Sequence, residues 1–304
     1  KHIEEIQRDG HINYNIKKAV QLGLPVEKAL KMATIQAARC YGLSHLGAIA
    51  PGCQADLVVL DDLENLNVLA VYHKGIEIQK DEKVEIQPCA PKLKNTVHLL
   101  NFTEDRFKLL CTSKTAHVIE MMEGQITTLD KKEEVPWKEV NGEKVFVPDA
   151  SYQKIAVIER HKYTGKTGVG IVKGFGLLGG AIASSVSHDS HNIIVVGDND
   201  RDMYLAVKEL VRTQGGYTLV ENGKVYDTLA LPVMGLISDE GYETVHEKLS
   251  RMIPKAHEMG IREGFDPFIT LSFMALPVLP QIRITPRGIY LVDEDRMLKS
   301  PFDQ

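Results

Sequence analysis

Leu46-Gly47-Ala48-Ile49-Ala50-Pro51-Gly52-Cys53-Gln54-Ala55-Asp56-Leu57-Val58-Val59-Leu60 is where the chain changes character. Pro51-Gly52 marks a turn. The apolar run at 55–60 reads as a buried strand. Upstream the pattern is helical. Ile3, Ile6, Ile12, Ile16, Ala19, Val20 and Leu22 largely follow i, i+3, i+4 spacing, with a break near Asp9-Gly10 and a stop at Gly23. Pro25 opens a second helix through Ala38, and Gly42 ends it. These helices carry more apolar surface than the chain up to that point can cover. Downstream, 68–72 and 75–78 read as two more short strands.

The chain has 304 residues, enough for two or three domains. With 43% hydrophobic and 25% charged residues it reads as a soluble globular protein. A net charge of −5 argues against a nucleic-acid or anionic-membrane partner. Cys40, Cys53, Cys89 and Cys111 form no C-x-x-C pair, which fits free thiols in a reducing cytoplasm. No apolar run reaches the roughly 18 residues of a membrane span. The sequence opens at Lys1 directly into helical periodicity, so we expect a natural N-terminal portion to precede it.

A polar stretch with Pro88 and Pro91 makes 79–96 a linker and a domain boundary. Beyond it, 97–100, 116–122, 125–129, 145–147 and 155–159 alternate as half-buried strands. Lys131-Lys132-Glu133-Glu134 reads as a solvated turn. Gly168-Val169-Gly170 lacks the spacing of a phosphate loop or a dinucleotide fingerprint. Asp198-Asn199-Asp200 can cap a helix over about 202–212. Asn222-Gly223 signals a hairpin between 217–220 and 225–228. Ser238 or Asp239 begins a helix over about 242–259, with His246 and His257 as surface residues. Residues 266–277 read as a core-packing stretch, and 284–290 as turn plus strand.

The chemistry is densest at Val186-Ser187-His188-Asp189-Ser190-His191-Asn192, followed at once by the strand-like Ile193-Ile194-Val195-Val196-Gly197. Two imidazoles, a carboxylate, a hydroxyl and an amide set against a buried strand are what a reaction site needs. The plain alternative is a polar turn with two surface histidines. A metal bound by His188 and His191 themselves is poorly supported, because Asp189 is the only close carboxylate.

The opening stretch, with Val71-Tyr72-His73-Lys74-Gly75 downstream and the helix from Pro25 to Arg39 upstream, resembles the end of an amidohydrolase-superfamily enzyme. Gly174-Phe175-Gly176-Leu177, the cluster just quoted, Leu231-Pro232-Val233-Met234-Gly235-Leu236-Ile237-Ser238 and the stretch from Asp266 to Val278 narrow this to the adenine deaminases of that superfamily.

The resemblance implies a mixed α/β and α+β chain. Residues 1–43 would be the last helices of a metal-dependent (β/α)8 barrel, 44–88 part of a small β-sandwich, and 89–304 a C-terminal α+β domain. It implies hydrolysis of adenine to hypoxanthine and ammonia. The binuclear manganese or iron centre would be held by ligands upstream of this chain, which has no His-x-His pair, so no metal ligand is expected here. The pattern of the zinc base deaminases is also absent. In the complete enzyme the metal would lower the pKa of bound water. His188 or His191 would then shuttle a proton or donate to a ring nitrogen, and Asp189 would orient an imidazole. Ser190 and Asn192 would bind substrate, Asn192 alternatively bracing the loop. Expected partners are adenine, the upstream portion and further copies in a cytoplasmic homo-oligomer. The rivals are a non-catalytic assembly or lid module and another cyclic-amide or amidine hydrolase.

Overall fold

The computed structural model describes residues 3–78 and 89–303. The chain divides into two compact units, Lys1–Gln87 and Pro88–Gln304.

In the first unit the helical patterns become α1 (Ile3–Asp9), α2 (Ile12–Gln21), α3 (Val26–Lys31) and α4 (Ala37–Cys40). A π-helical turn, Met32–Gln36, joins the last two. There Thr34 Oγ1 bonds back to Leu30 O at 2.7 Å, the local competition that disturbs a helix ladder. Then β1 (Leu57–Leu60), β2 (Val68–His73) and β3 (Ile76–Glu77) form an antiparallel sheet. Asp56 accepts from Lys74 N at 2.8 Å and so ties the β2–β3 turn to the entry of β1.

The strand at 55–60 was expected to be buried, and here the structure corrects the sequence. Val58 is 57% and Val59 43% exposed. Ile12, Leu22, Met32, Leu69 and Ile76 are exposed too. A three-stranded sheet and four short helices have too little area to close over their own apolar faces.

The second unit is built on an eight-stranded sheet in the order β13-β12-β10-β11-β8-β9-β4-β5. Its strands are β4 (Ala116–Met121), β5 (Thr128–Glu133), β8 (Tyr152–Ile158), β9 (Thr167–Lys173), β10 (Gly180–Ser184), β11 (Ile193–Gly197), β12 (Gly216–Glu221) and β13 (Lys224–Ala230). A hairpin of β6 (Trp137–Val140) and β7 (Glu143–Phe146) stands apart. All neighbours are antiparallel except β4 and β9.

Both faces of the sheet are covered. One carries α5 (Asp200–Thr213) through Met203, Ala206, Val207 and Leu210. The other carries α6 (Tyr242–Glu258), α7 (Pro267–Phe273) and a small sheet of β14 (Ile282–Thr285), β15 (Gly288–Leu291) and β16 (Arg296–Leu298). This explains the uninterrupted apolar run of β11, since a strand between two layers has no wet side. Gly168 and Gly170 on β9 are explained by close approach. A Cβ at Gly168 would lie 2.0 Å from Thr285 O, and one at Gly170 would lie 2.7 Å from Ile289 Cδ1.

Several expectations need correction. Residues 97–100 form no strand, although Val97 is buried. The strand expected at 125–129 lies instead at β5, so Lys131, Lys132 and Glu133 are ladder residues and not a turn. Glu133 accepts from Tyr152 Oη at 2.6 Å and from Lys173 Nζ at 2.7 Å. The stretch at 266–277 contains a helix, α7, capped by Asp266, which accepts from Phe268 N at 3.0 Å and Ile269 N at 2.7 Å. Gly241, not Ser238 or Asp239, precedes α6. His246 and His257 are half-buried, and His257 Nδ1 meets Ile261 O at 2.9 Å. Of the linker read at 79–96, residues 79–88 lie outside the described residues, and Pro91–Leu93 form a 3-10 turn.

Candidate functional site

The histidine-rich stretch is the β10–β11 loop at one end of the large sheet. Ser184 closes β10 and Ile193 opens β11, where it pairs with Ile158 of β8. The β8–β9 loop, with Glu159, Arg160 and His161, therefore lies alongside. His188 N donates to Ser272 O of α7 at 2.9 Å, which docks the loop on the helix.

The five residues singled out from sequence divide into two sets. Asp189, Ser190 and Asn192 line a cavity of about 720 Å³. Its apolar wall includes Leu276, Pro277, Val278, Ile284, Tyr290 and Met297, and Lys166 and Arg287 stand at its rim. His188 and His191 are not among its walls. The His188 ring packs on Phe273 with centroids 4.9 Å apart, and His191 meets His188 edge-on at 5.6 Å.

Within the loop, His191 has a left-handed backbone, φ +50, which a histidine tolerates better than a β-branched residue would. Its N–H donates to Ser187 O at 2.6 Å. Its Nδ1 accepts from Ser187 N at 3.3 Å, which assigns the proton of the neutral ring to Nε2. Burial, then the nearby His188 and Arg160, hold His191 below the usual imidazole pKa, with Asp189 opposing. Its neutral form therefore dominates at pH 7. His188 Nδ1 lies 3.9 Å from Asp189 Oδ1, outside hydrogen-bond distance, and the Asp189 side chain is 83% exposed.

Asn192 is buried and both ends of its amide are used. Oδ1 accepts from Arg160 N at 3.3 Å, and Nδ2 donates to Ser190 Oγ at 3.1 Å. The Ser190 hydroxyl thereby keeps its own proton free to donate. Its carbonyl meets His161 Nε2 at 2.8 Å. Ser187 Oγ is buried without a hydrogen-bond partner among the described residues. Burial pulls Glu159 upward, but bonds from Thr164, His161 and Lys162 outweigh it and hold the carboxyl below its usual range.

Sequence reasoning missed Arg160, Phe273 and the cavity wall. One signal was present for Arg160: the charged triplet Glu159-Arg160-His161 directly after the apolar run of β8. Among the described residues no three His, Cys, Asp or Glu side chains are grouped to hold a metal ion, and no helix is long and apolar enough to cross a membrane.

Residues 125–296 match the family model described as the adenine deaminase C-terminal domain, and residues 3–86 match the amidohydrolase family. Among curated relatives, an adenine deaminase of Desulfitobacterium hafniense is 51% identical over 299 residues, covering 98% of this chain and 52% of the relative. An adenine deaminase of Petrotoga mobilis is 42% identical over 309 residues, with 96% and 52% covered. One of Bacillus subtilis is 39% identical over 300 residues, with 95% and 51% covered. The chain spans about half the length of the curated relatives it matches.

Proposed function

The chain belongs to the adenine deaminase C-terminal domain family, and from that premise we propose that, together with an upstream portion of the kind its relatives carry, it hydrolyses adenine to hypoxanthine and ammonia. The observation that carries this reading is the family match across 125–296, which contains the whole β10–β11 loop and its supports on β8 and α7. On this reading residues 1–43 are closing helices of a (β/α)8 barrel and 44–88 belong to a β-sandwich. The exposed Val58, Val59, Leu69 and Ile76 are the surface that the upstream portion covers.

The deamination needs a proton for the departing ammonia and hydrogen-bond partners for the purine nitrogens. His191, neutral with its proton on Nε2, is built to donate to a ring nitrogen. His188, a third exposed and tilted at 42° against the Phe273 ring, is the proton shuttle on this reading. Asp189 and Ser190 line the neighbouring cavity, and the Ser190 hydroxyl, its proton unspent, is a further donor to the substrate. Asn192, whose Oδ1 and one N–H are used within the protein, braces the loop and keeps a second N–H for the substrate. The residues described here do not fit a manganese or iron centre, because no ligand trio is present. We place those ligands upstream and assign no step of that centre to this chain. The protein would act in the cytoplasm as a homo-oligomer.

The test is a substrate panel on the complete enzyme and on residues 1–304 alone. Hypoxanthine and ammonia should form from adenine with the complete enzyme only. Turnover of a five- or six-membered cyclic amide in preference to adenine would favour the other hydrolase reading. Adenine turnover by the isolated chain at about 1 per second or more would refute the assignment of the ligands upstream.

A further inference from the structure

Arg160 follows β8 and is 1% exposed. Its guanidinium donates to carbonyls of three separate segments: Nε to His191 O at 2.5 Å, Nη1 to Thr96 O at 2.9 Å and Nη2 to Met234 O at 2.9 Å. Nη1 also reaches Thr96 Oγ1 at 3.3 Å. Its main chain is committed too, the N–H to Asn192 Oδ1 and the carbonyl to His98 N at 3.0 Å. The guanidinium lies so close to Gly235 that a Cβ there would sit 2.9 Å from it. Burial alone pushes its pKa down to about 10, so the group stays charged at neutral pH.

A buried cation held by carbonyls could be only a structural pin. Arg283 is one: it donates to Leu279 O, Ile126 O and Pro280 O and so ties the end of the α7–β14 turn to the start of β5. Arg160 differs in what it joins. One partner is the backbone of the left-handed residue His191, in the candidate loop. Another is the segment 93–98, which leads in from the boundary between the two units. That segment has a second anchor, since Gln214 Oε1 accepts from Thr96 N and Val97 N, both at 3.1 Å. Among the described residues the Gln214 side chain makes no hydrogen bond to the loop. A planar fork with five donors can hold three carbonyls at fixed angles, which a lysine ammonium on a flexible stem does not reproduce.

We propose that Arg160 is a positioning residue that locks the β10–β11 loop to the segment 93–98, so that the loop's conformation follows that of this segment. Its catalytic consequence rests on the function proposed above; the coupling itself does not.

The test is hydrogen exchange on the 304-residue chain. In Arg160→Met, amides at 186–192, 93–98 and 233–236 should lose protection together, by roughly 10-fold or more, the factor set by one lost hydrogen bond to a charged group. Amides of β11 and α5 should not change. Arg160→Lys should keep the melting temperature closer to the parent without restoring protection at both segments. Should Arg160→Met unfold, Gln214→Asn decides: asparagine tolerates the left-handed φ of +59 at that position but is one methylene too short for the bonds to Thr96 and Val97. It should loosen 186–192 from a distance. Loss of protection in one segment alone, or an unchanged loop in Gln214→Asn, overturns the coupling. In the complete enzyme the same variants should lower kcat more than they raise KM. Coupled exchange with unchanged kcat would sink the catalytic reading and leave the coupling standing. Uncoupled exchange, with activity still dependent on His191, would do the reverse.

Discussion

Replacing His191 with asparagine separates chemistry from folding most cleanly. The backbone there is left-handed, φ +50, and asparagine accepts that conformation readily. The main-chain bonds survive the change: His191 N to Ser187 O at 2.6 Å and Arg160 Nε to His191 O at 2.5 Å. What is lost is one long side-chain bond, Ser187 N to Nδ1 at 3.3 Å, and the edge contact with His188. A hydrogen bond of this kind is worth about 0.5–1.5 kcal/mol net. The expected stability loss is therefore about 1 kcal/mol, a few degrees in Tm at most for a chain of this size. Removal of a positioned acid–base or donor group costs about 10²–10⁴-fold in rate. In the complete enzyme we expect kcat/KM for adenine to fall by about 10²-fold with Tm and metal content nearly unchanged. Near-full activity in His191→Asn would refute the reasoning. So would a loss of activity that tracks unfolding.

Other outcomes follow from the same structure. His191 has a folded pKa below its unfolded value of about 6.5, so the unfolded chain takes up the proton first as pH falls. Stability should be complete above about 6.5 and decline as pH drops towards the folded pKa, and the decline should be smaller in His191→Asn by pH-dependent denaturation. Residues 1–304 alone should associate through Val58, Val59 and Ile76, each worth about 1.5–3 kcal/mol when buried; sedimentation should show oligomers that Val58→Lys weakens, and a clean monomer of the parent would count against the exposed-face argument. Asp266→Ala removes the cap of α7 and should cost about 0.5–2 kcal/mol in urea unfolding. Gly168→Ala drives a methyl towards Thr285 O and should cost about 1–3 kcal/mol or more.

The elements legible in the sequence were those whose signal is local. The Asn222-Gly223 hairpin appears between β12 and β13, and the cap at Asn199 opens α5, its side chain accepting from Asp202 N at 2.8 Å. The apolar run at 193–197 is a central strand buried on both faces. The failures have a common cause: the deciding partner is distant in sequence. Lys131 and Lys132 look like a solvated turn because nothing local shows β4 beside them. The run at 266–277 hides α7, because a helix buried against the sheet loses its polar face. At the site, the loop itself was visible as composition. That Asn192 bonds to Arg160 and Ser190, and that His188 packs on Phe273 with His191 against it and neither lines the cavity, depend on contacts from β8 and α7 that no sequence spacing encodes.

The most direct test of the account is a chimera. The Desulfitobacterium hafniense relative matches 98% of this chain over about half its own length, so this chain can replace the matched half of that adenine deaminase. Release of hypoxanthine and ammonia from adenine should persist in the chimera and fall by about 10²-fold or more when both His188 and His191 are replaced by asparagine. A folded chimera that does not turn over adenine, or one whose turnover is indifferent to both histidines, would contradict the account.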